Sequence, residues 1–189
     1  MAVMTAAETR AGLPSRPLTR SDLESLPEDG HRYELIDGTL IVSPAPGLRH
    51  QTAVLQFGRL LQDAAPPALK VLVAPFAVGL ADDTEVQPDV LVARREDYTE
   101  KDLPVPPVLA VEILSPSSRG IDRLLKRERY ERAGVASYWI LDPVEELLVC
   151  LELDEQGRYA EVARAAGDET VRLTAPYAVA VKPAALIED

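Results

Sequence analysis

The sequence predicts an α/β fold: a mixed central β-sheet flanked by helices, with an N-terminal helix and a β-hairpin ahead of it. Three observations lead there. From Val108 to Leu114 every residue except Glu112 is apolar, as in a strand buried on both faces. Val54, Leu55, Phe57, Leu60 and Leu61 recur at helical spacing ahead of Pro66-Pro67. Asp37-Gly38 separates Tyr33–Ile36 from Thr39–Val42 and supplies the positive φ of a two-residue hairpin turn.

The elements follow in order. Residues 1–17 carry Ala, Arg and Pro without periodicity and are expected to form a flexible tail, leaving 18–189 as a single domain. Thr19-Arg20-Ser21-Asp22 opens a short capped helix that Pro27 stops. The hairpin ends at Pro44 and Pro46, and a helix runs from Leu48 to Asp63. Strands are expected over 69–75 and 76–80, then a turn at Asp82-Asp83 and a strand from Asp89 to Val92. After the apolar strand, Ser117 or Ser118 caps a helix reaching Ala133, which Gly134 terminates. Ser137–Leu141 is a strand ended by Asp142-Pro143, with Tyr138 and Trp139 as core residues. A second hairpin turns at Gln156-Gly157, and Pro183 opens a last short helix.

Composition bounds the chemistry. One cysteine, Cys150, excludes an internal disulfide, and with only two histidines it cannot build the usual structural zinc site. No apolar run approaches the roughly 18 residues that span a bilayer, and the first residues lack a secretory h-region. A cytoplasmic protein with no membrane partner is expected. The formal charge of −11 opposes non-specific attraction to nucleic acid. Its distribution is uneven: Arg119 to Arg132 holds six basic and three acidic residues, a segment at +3 in a remainder at −14. That segment is either a solvated, ion-paired helix face or a local landing strip for phosphates.

Glu112 is the sharpest signal. A carboxylate in a doubly buried strand loses its hydration at a cost of several kcal/mol unless a cation or donors compensate. Asp89, just after Pro88, opens the neighbouring strand and can converge with Glu112 at one end of a sheet. Two close carboxylates do not both stay ionised without a cation, and such oxygens suit hard divalent ions. Leu114 shares the face of Glu112 and is apolar, so a cationic partner must come from elsewhere. Asp122, Lys126 and Tyr130 share one helix stripe beside an apolar stripe of Ile121, Leu124 and Leu125. With the apolar stripe on the sheet, Lys126 at its margin reaches over Glu112. Asp122 then either orients Lys126 or is plain surface, and His50 is a helix-start residue with surface duties or a substrate contact.

Pro88-Asp89, Glu112-Ile113-Leu114 and Lys126 together resemble the PD-(D/E)xK nuclease-like superfamily, in a variant whose lysine has migrated from strand to helix. Tyr33–Gly38, Gln87–Val90, Val111–Ser117 and Gly134-Val135 with Tyr138–Pro143 resemble the Uma2 family of endonucleases over residues 18–187. The resemblance implies a restriction-endonuclease-like core. It implies Mg²⁺ or Mn²⁺ held by Asp89, Glu112, Glu34 and the Ile113 backbone carbonyl, with Lys126 as the motif lysine. It further implies phosphodiester hydrolysis, with DNA as the partner. A homodimer suits duplex cleavage. The competing class is an inactive nuclease-fold module that binds nucleic acid or protein, which the −14 remainder favours. A serine hydrolase is a poor third reading, since no Gly-x-Ser-x-Gly elbow occurs and only His31 and His50 could serve as base.

Overall fold

In the computed structural model, residues 14–27, 30–115 and 121–188 are described. Helix α1 (Arg20–Leu23) is capped by Asp22, whose carboxylate accepts the Thr19 N–H at 2.7 Å and its hydroxyl at 2.9 Å. Strands β1 (Arg32–Ile36) and β2 (Thr39–Ser43) pair antiparallel through the turn, with Asp37 at φ 49° and Gly38 at φ 72°. Helix α2 (Leu48–Ala64) follows, then β3 (Leu69–Val73), β4 (Ala77–Ala81), β5 (Thr84–Val86) and β6 (Val90–Arg94). After β7 (Asp102–Leu103) and β8 (Leu109–Ile113), a π-wound turn (Ile121–Lys126) continues into α3 (Arg127–Ala133). Gly134 closes α3 at φ +82°, where a side chain would be strained. The chain ends with β9 (Ser137–Asp142), β10 (Leu147–Leu153), β11 (Tyr159–Ala166), β12 (Val171–Leu173), β13 (Val179–Val181) and a 3₁₀ turn (Ala184–Leu186).

The expected mixed sheet is six-stranded, in the order β11-β10-β9-β8-β6-β3. Only its β8–β9 pairing is parallel, and the π-turn and α3 form part of the crossover. All residues of β8 and β9 are buried, as an apolar strand between two neighbours requires. A five-stranded sheet, β2-β1-β5-β4-β7, and the β12–β13 pair complete the strands. Strands β5 and β7 were not expected; at three and two residues they are too short for an alternating pattern.

Side-chain alternation divides the core. One face of the six-stranded sheet (Val90, Val92, Leu109, Val111, Trp139, Leu141) packs against Val54, Phe57 and Leu61 of α2. Phe57 and Trp139 stack with ring centroids 6.0 Å apart. The other face (Leu91, Ala93, Ala110, Leu114, Ile140) meets Tyr130 of α3 and Ile36, Val78 and Val86 of the second sheet. Glu112 lies between Ala110 and Leu114 and therefore points into this second face.

One expectation is overturned. Leu124 and Leu125 do not pack on the sheet; they are 72% and 41% exposed, and the inward stripe is Lys126 and Tyr130. The π-wound turn is the reason. Its i→i+5 pitch rotates residues away from positions extrapolated at 3.6 per turn. The cap at Ser117 or Ser118 and the side chain of Asp122 lie outside the described residues.

The β-carbon of alanine at position 38 would meet Pro17 Cβ at 2.6 Å, in a left-handed backbone. Gly38→Ala is expected to destabilise by at least about 1–2 kcal/mol in urea unfolding. Burial pushes the thiol of Cys150 well above its ordinary value. In native protein at pH 8 it should react with a disulfide reagent only as fast as the sheet opens, and immediately in denaturant.

Candidate functional site

Three acids distant in the chain meet at the junction of the two sheets. On β1, Arg32, Glu34 and Ile36 share the face turned toward the second core cluster. Asp89 stands immediately before β6, and Glu112 is on the adjacent β8. Glu34, Asp89 and Glu112 are each no more than 2% exposed.

Lys126 binds the cluster together. Its Nζ lies 2.8 Å from Glu34 Oε1 and 3.0 Å from Glu112 Oε1, and the residue is itself 1% exposed. The Tyr130 hydroxyl donates to the same Glu112 oxygen at 2.8 Å. Burial, and then the charge of Glu112, hold this phenol well above its usual range, so it remains a neutral donor. Asp89 is fixed from three sides. Its Oδ2 accepts the Ile113 N–H at 2.8 Å and lies 3.2 Å from His50 Nε2, while Arg32 Nη1 reaches Oδ1 at 3.0 Å. Burial opposes ionisation of Asp89, but His50, Arg32 and Lys126 outweigh it and lower its pKa. Burial likewise works against the charge of Arg32, yet Glu34, Asp89 and Glu112 raise it above its ordinary value. Glu34 also accepts the Gln87 N–H at 2.7 Å, tying β1 to the segment ahead of Asp89.

Sequence reasoning named Glu34, Asp89, Glu112, Lys126, Tyr130 and His50; the structure gathers them in two groups, Lys126 with Glu34, Glu112 and Tyr130, and His50 with Asp89, linked by Arg32 between Glu34 and Asp89. His50, on the first turn of α2, is half-buried against Asp89 instead of having surface duties. Arg32 was missed. It lies one pleat before Glu34, and the i, i+2 spacing on a strand was the signal available.

Of the four described cations of the basic segment, Lys126 and Arg129 face inward, while Arg127 and Arg132 are exposed. Lys126 is buried between acids, Arg129 pairs with Asp37 and Glu128, and Arg132 lies 3.9 Å from Asp37. Arg127 donates to the Tyr159 carbonyl at 3.5 Å.

The donor set is three carboxylates beside a backbone strand, all hard oxygens. Among the described residues no three Asp, Glu, His or Cys groups gather as ligands around one point. This fits a divalent ion held by one or two carboxylates, with water and phosphate completing its shell, rather than a closed protein cage. Beside the cluster opens a cleft of about 510 Å³, with Arg32, His50, Gln87 and Asp89 on its polar side. Pro44, Ala45, Pro46, Val54 and Pro75 are among its apolar walls. Among the described residues no helix is long and apolar enough to cross a membrane.

Comparison with known proteins adds two findings. The family model described as "Uma2: Putative restriction endonuclease" matches residues 20–182. The crystal structure of a "putative nuclease belonging to DUF820" from Anabaena variabilis is similar in fold, with a TM-score of 0.72 at 18% identity. The match covers 90% of this chain and 98% of that one. No curated protein matches.

Removing the ammonium leaves two buried carboxylates uncompensated. Lys126→Met should cost about 3–5 kcal/mol near pH 7 in chemical denaturation. Tyr130→Phe, which deletes one donor to a charged acceptor, should cost about 1.5–3 kcal/mol. The lowered pKa of Asp89 makes the native state bind fewer protons than the unfolded chain. Its stabilising share is complete above the ordinary carboxyl range near ~4 and disappears as pH falls through the folded value. The stability gap between wild type and Asp89→Asn should therefore narrow on acidification, as followed by urea unfolding.

Proposed function

Because the chain belongs to the Uma2 family of restriction-endonuclease-like proteins, we propose that it is a metal-dependent endonuclease hydrolysing phosphodiester bonds in DNA. The observation that carries this reading is Lys126 between Glu34 and Glu112, one strand away from Asp89. Buried acids paired with a buried ammonium are costly to keep for stability alone. Asp89 and Glu112, with the Ile113 carbonyl, would hold Mg²⁺ or Mn²⁺, and Glu34 would hold a water of that ion. Such an ion, when bound, supplies Lewis acidity and a water acidified toward neutral pH.

The chain's own groups do the rest. Lys126 offers an ammonium N–H to an attacking water or to charge developing on the phosphoryl oxygens. Tyr130 fixes the rotamer of Glu112, and the Ile113 N–H fixes that of Asp89. Arg32, which lines the cleft, neutralises Asp89 and can meet an incoming phosphate. Packing around Lys126 excludes bulk water and strengthens each of these interactions.

A second reading, a nuclease fold that binds without cleaving, is favoured by one observation. The site's carboxylates are already engaged by Lys126, Arg32 and His50. Two measurements separate the readings. Calorimetric titration of Mn²⁺ should give a binding isotherm in wild type that weakens at least tenfold in Glu112→Gln; equal isotherms would remove the metal site. Supercoiled plasmid incubated with Mn²⁺ should be nicked by wild type and left intact by Asp89→Ala. Binding with no nicking by either favours the module.

A further inference from the structure

We propose that the cleft beside Asp89 receives a single unstacked nucleotide, so that the substrate is single-stranded or locally unpaired nucleic acid and not continuous duplex. This rests on the phosphodiesterase reading of the same site. Four features of the cleft lead to it.

The first is size. About 510 Å³ lies inside the ~300–1,000 Å³ of clefts that enclose one small organic ligand. A duplex, whose major groove alone is about 12 Å wide, can lie across such a cleft but cannot enter it. A base reaches the interior of a pocket like this only when it is out of the stack.

The second is the character of the walls. Pro44 and Pro46 on one side and Ala74-Pro75 on another give saturated apolar surfaces without charge. Such surfaces accept the flat face of a base, which is the way extruded or single-stranded bases are held.

The third is unmet hydrogen-bonding capacity. Among the described residues, Gln87 Oε1 and His50 Nδ1 have no hydrogen-bond partner; both residues line this cleft, and the two atoms lie beneath its surface, so a bound base reaches them once their side chains shift. A buried polar atom left without a partner is costlier than a satisfied one. Their opposite ends are fixed: Gln87 Nε2 donates to the Tyr33 carbonyl, and His50 Nε2 faces Asp89. The unsatisfied ends are an acceptor on Gln87 and a ring nitrogen on His50. The Watson–Crick edge of a base offers matching donors and acceptors, which it can present only when unpaired.

The fourth is charge. Duplex binding draws its affinity from many phosphate contacts and the counterions they release. This chain is at −11, and of the four described cations of its basic segment Lys126 and Arg129 are engaged within the protein, leaving Arg127 and Arg132 exposed, too few to track a duplex backbone. Arg32 beside Asp89 is suited to one phosphate at the mouth of the cleft, not to a tracked backbone.

Gly47 provides the test. It lines the cleft at ordinary φ, and a β-carbon there meets nothing within 4 Å, so a side chain fits without strain while reducing the space. Binding should be measured by fluorescence anisotropy in Ca²⁺ with fluorescein-labelled 20-mers. The probes are single-stranded DNA, single-stranded RNA, blunt duplex DNA, and duplex DNA carrying a five-nucleotide internal loop. Single strands and the looped duplex are expected to bind at least tenfold tighter than blunt duplex. Gly47→Leu should lose at least tenfold of that binding while remaining folded, its melting temperature lowered by no more than the replacement of a glycine N-cap explains. Equal or tighter binding of blunt duplex, no binding of any probe, or an unaffected folded Gly47→Leu overturns the proposal. The DNA and RNA arms identify the sugar. Plasmid nicking assays the phosphodiesterase reading separately: tight single-strand binding without cleavage spares the pocket, and cleavage with duplex preference spares only the nuclease.

Discussion

A lysine with almost no access to water determines how this protein must be built. An ammonium buried among side chains costs several kcal/mol in lost hydration, and Lys126 recovers that only by lying within 3.0 Å of both Glu34 and Glu112. The acids carry the same debt. Glu34 must arrive on β1 with its alternation in the right phase, Glu112 must stand on the inward face of β8, and the π-wound turn and α3 must present Lys126 and Tyr130 between them. A one-residue slip of β1 would turn Arg32 and Glu34 out of the site together. The pairing of Glu34↔Ile41 and Leu35↔Glu85 guards against that slip from both sides of the strand. Replacing a whole buried ion cluster by apolar side chains of the same volume is often neutral or stabilising, so stability alone is a weak account of this arrangement.

The two faces of the six-stranded sheet divide the work. One is an apolar contact with α2, in which Phe57 and Trp139 lock helix to sheet. The other carries the acids and joins the second sheet. Helix α2 serves both: its middle turns supply core, and its first turn delivers His50 to Asp89. Movement of α2 would therefore be felt at the site through His50. The hairpin is anchored in a similar way, since Asp37 in its turn pairs with Arg129 of α3. Lys126 and Glu34 are thus held in register by a second ion pair at the far end of the same two elements.

Most of this was legible in the sequence where a residue contradicted its surroundings. Glu112 stands out because its neighbours are all apolar, Gly38 because the turn needs positive φ, and Asp89 because it follows a proline at a strand start. The strand order was not legible, nor was the second sheet, because β5 and β7 are too short to show a period. Arg32 escaped notice for the opposite reason to Glu112. In a half-exposed hairpin strand an arginine agrees with its surroundings, and only the partners contributed by Asp89 and Glu34 make it part of a site. Leu124 and Leu125 misled because a regular helical pitch was assumed through a segment wound as a π-turn. The PD-(D/E)xK resemblance placed Lys126 near Glu112, but helical periodicity put it at the margin of the packed face instead of at its centre.

Charge counting at the cluster links these observations. Glu34, Asp89 and Glu112 bring three negative charges; Lys126 and Arg32 bring two positive ones, leaving −1 with His50 set aside. In that condition the site repels a phosphodiester, in keeping with the acidic chain around it. Under the proposed function, one divalent ion changes the local sum to +1, and the site becomes attractive to one phosphate while the rest of the surface does not. An acidic nuclease gains selectivity from such a device. On that reading it would not collect duplex non-specifically through a basic surface, and would engage phosphate where the ion, Arg32 and Lys126 act on the same group. The −11 of the whole chain is then compatible with phosphodiester chemistry, because the attraction is confined to a few ångströms around Asp89 and Glu112.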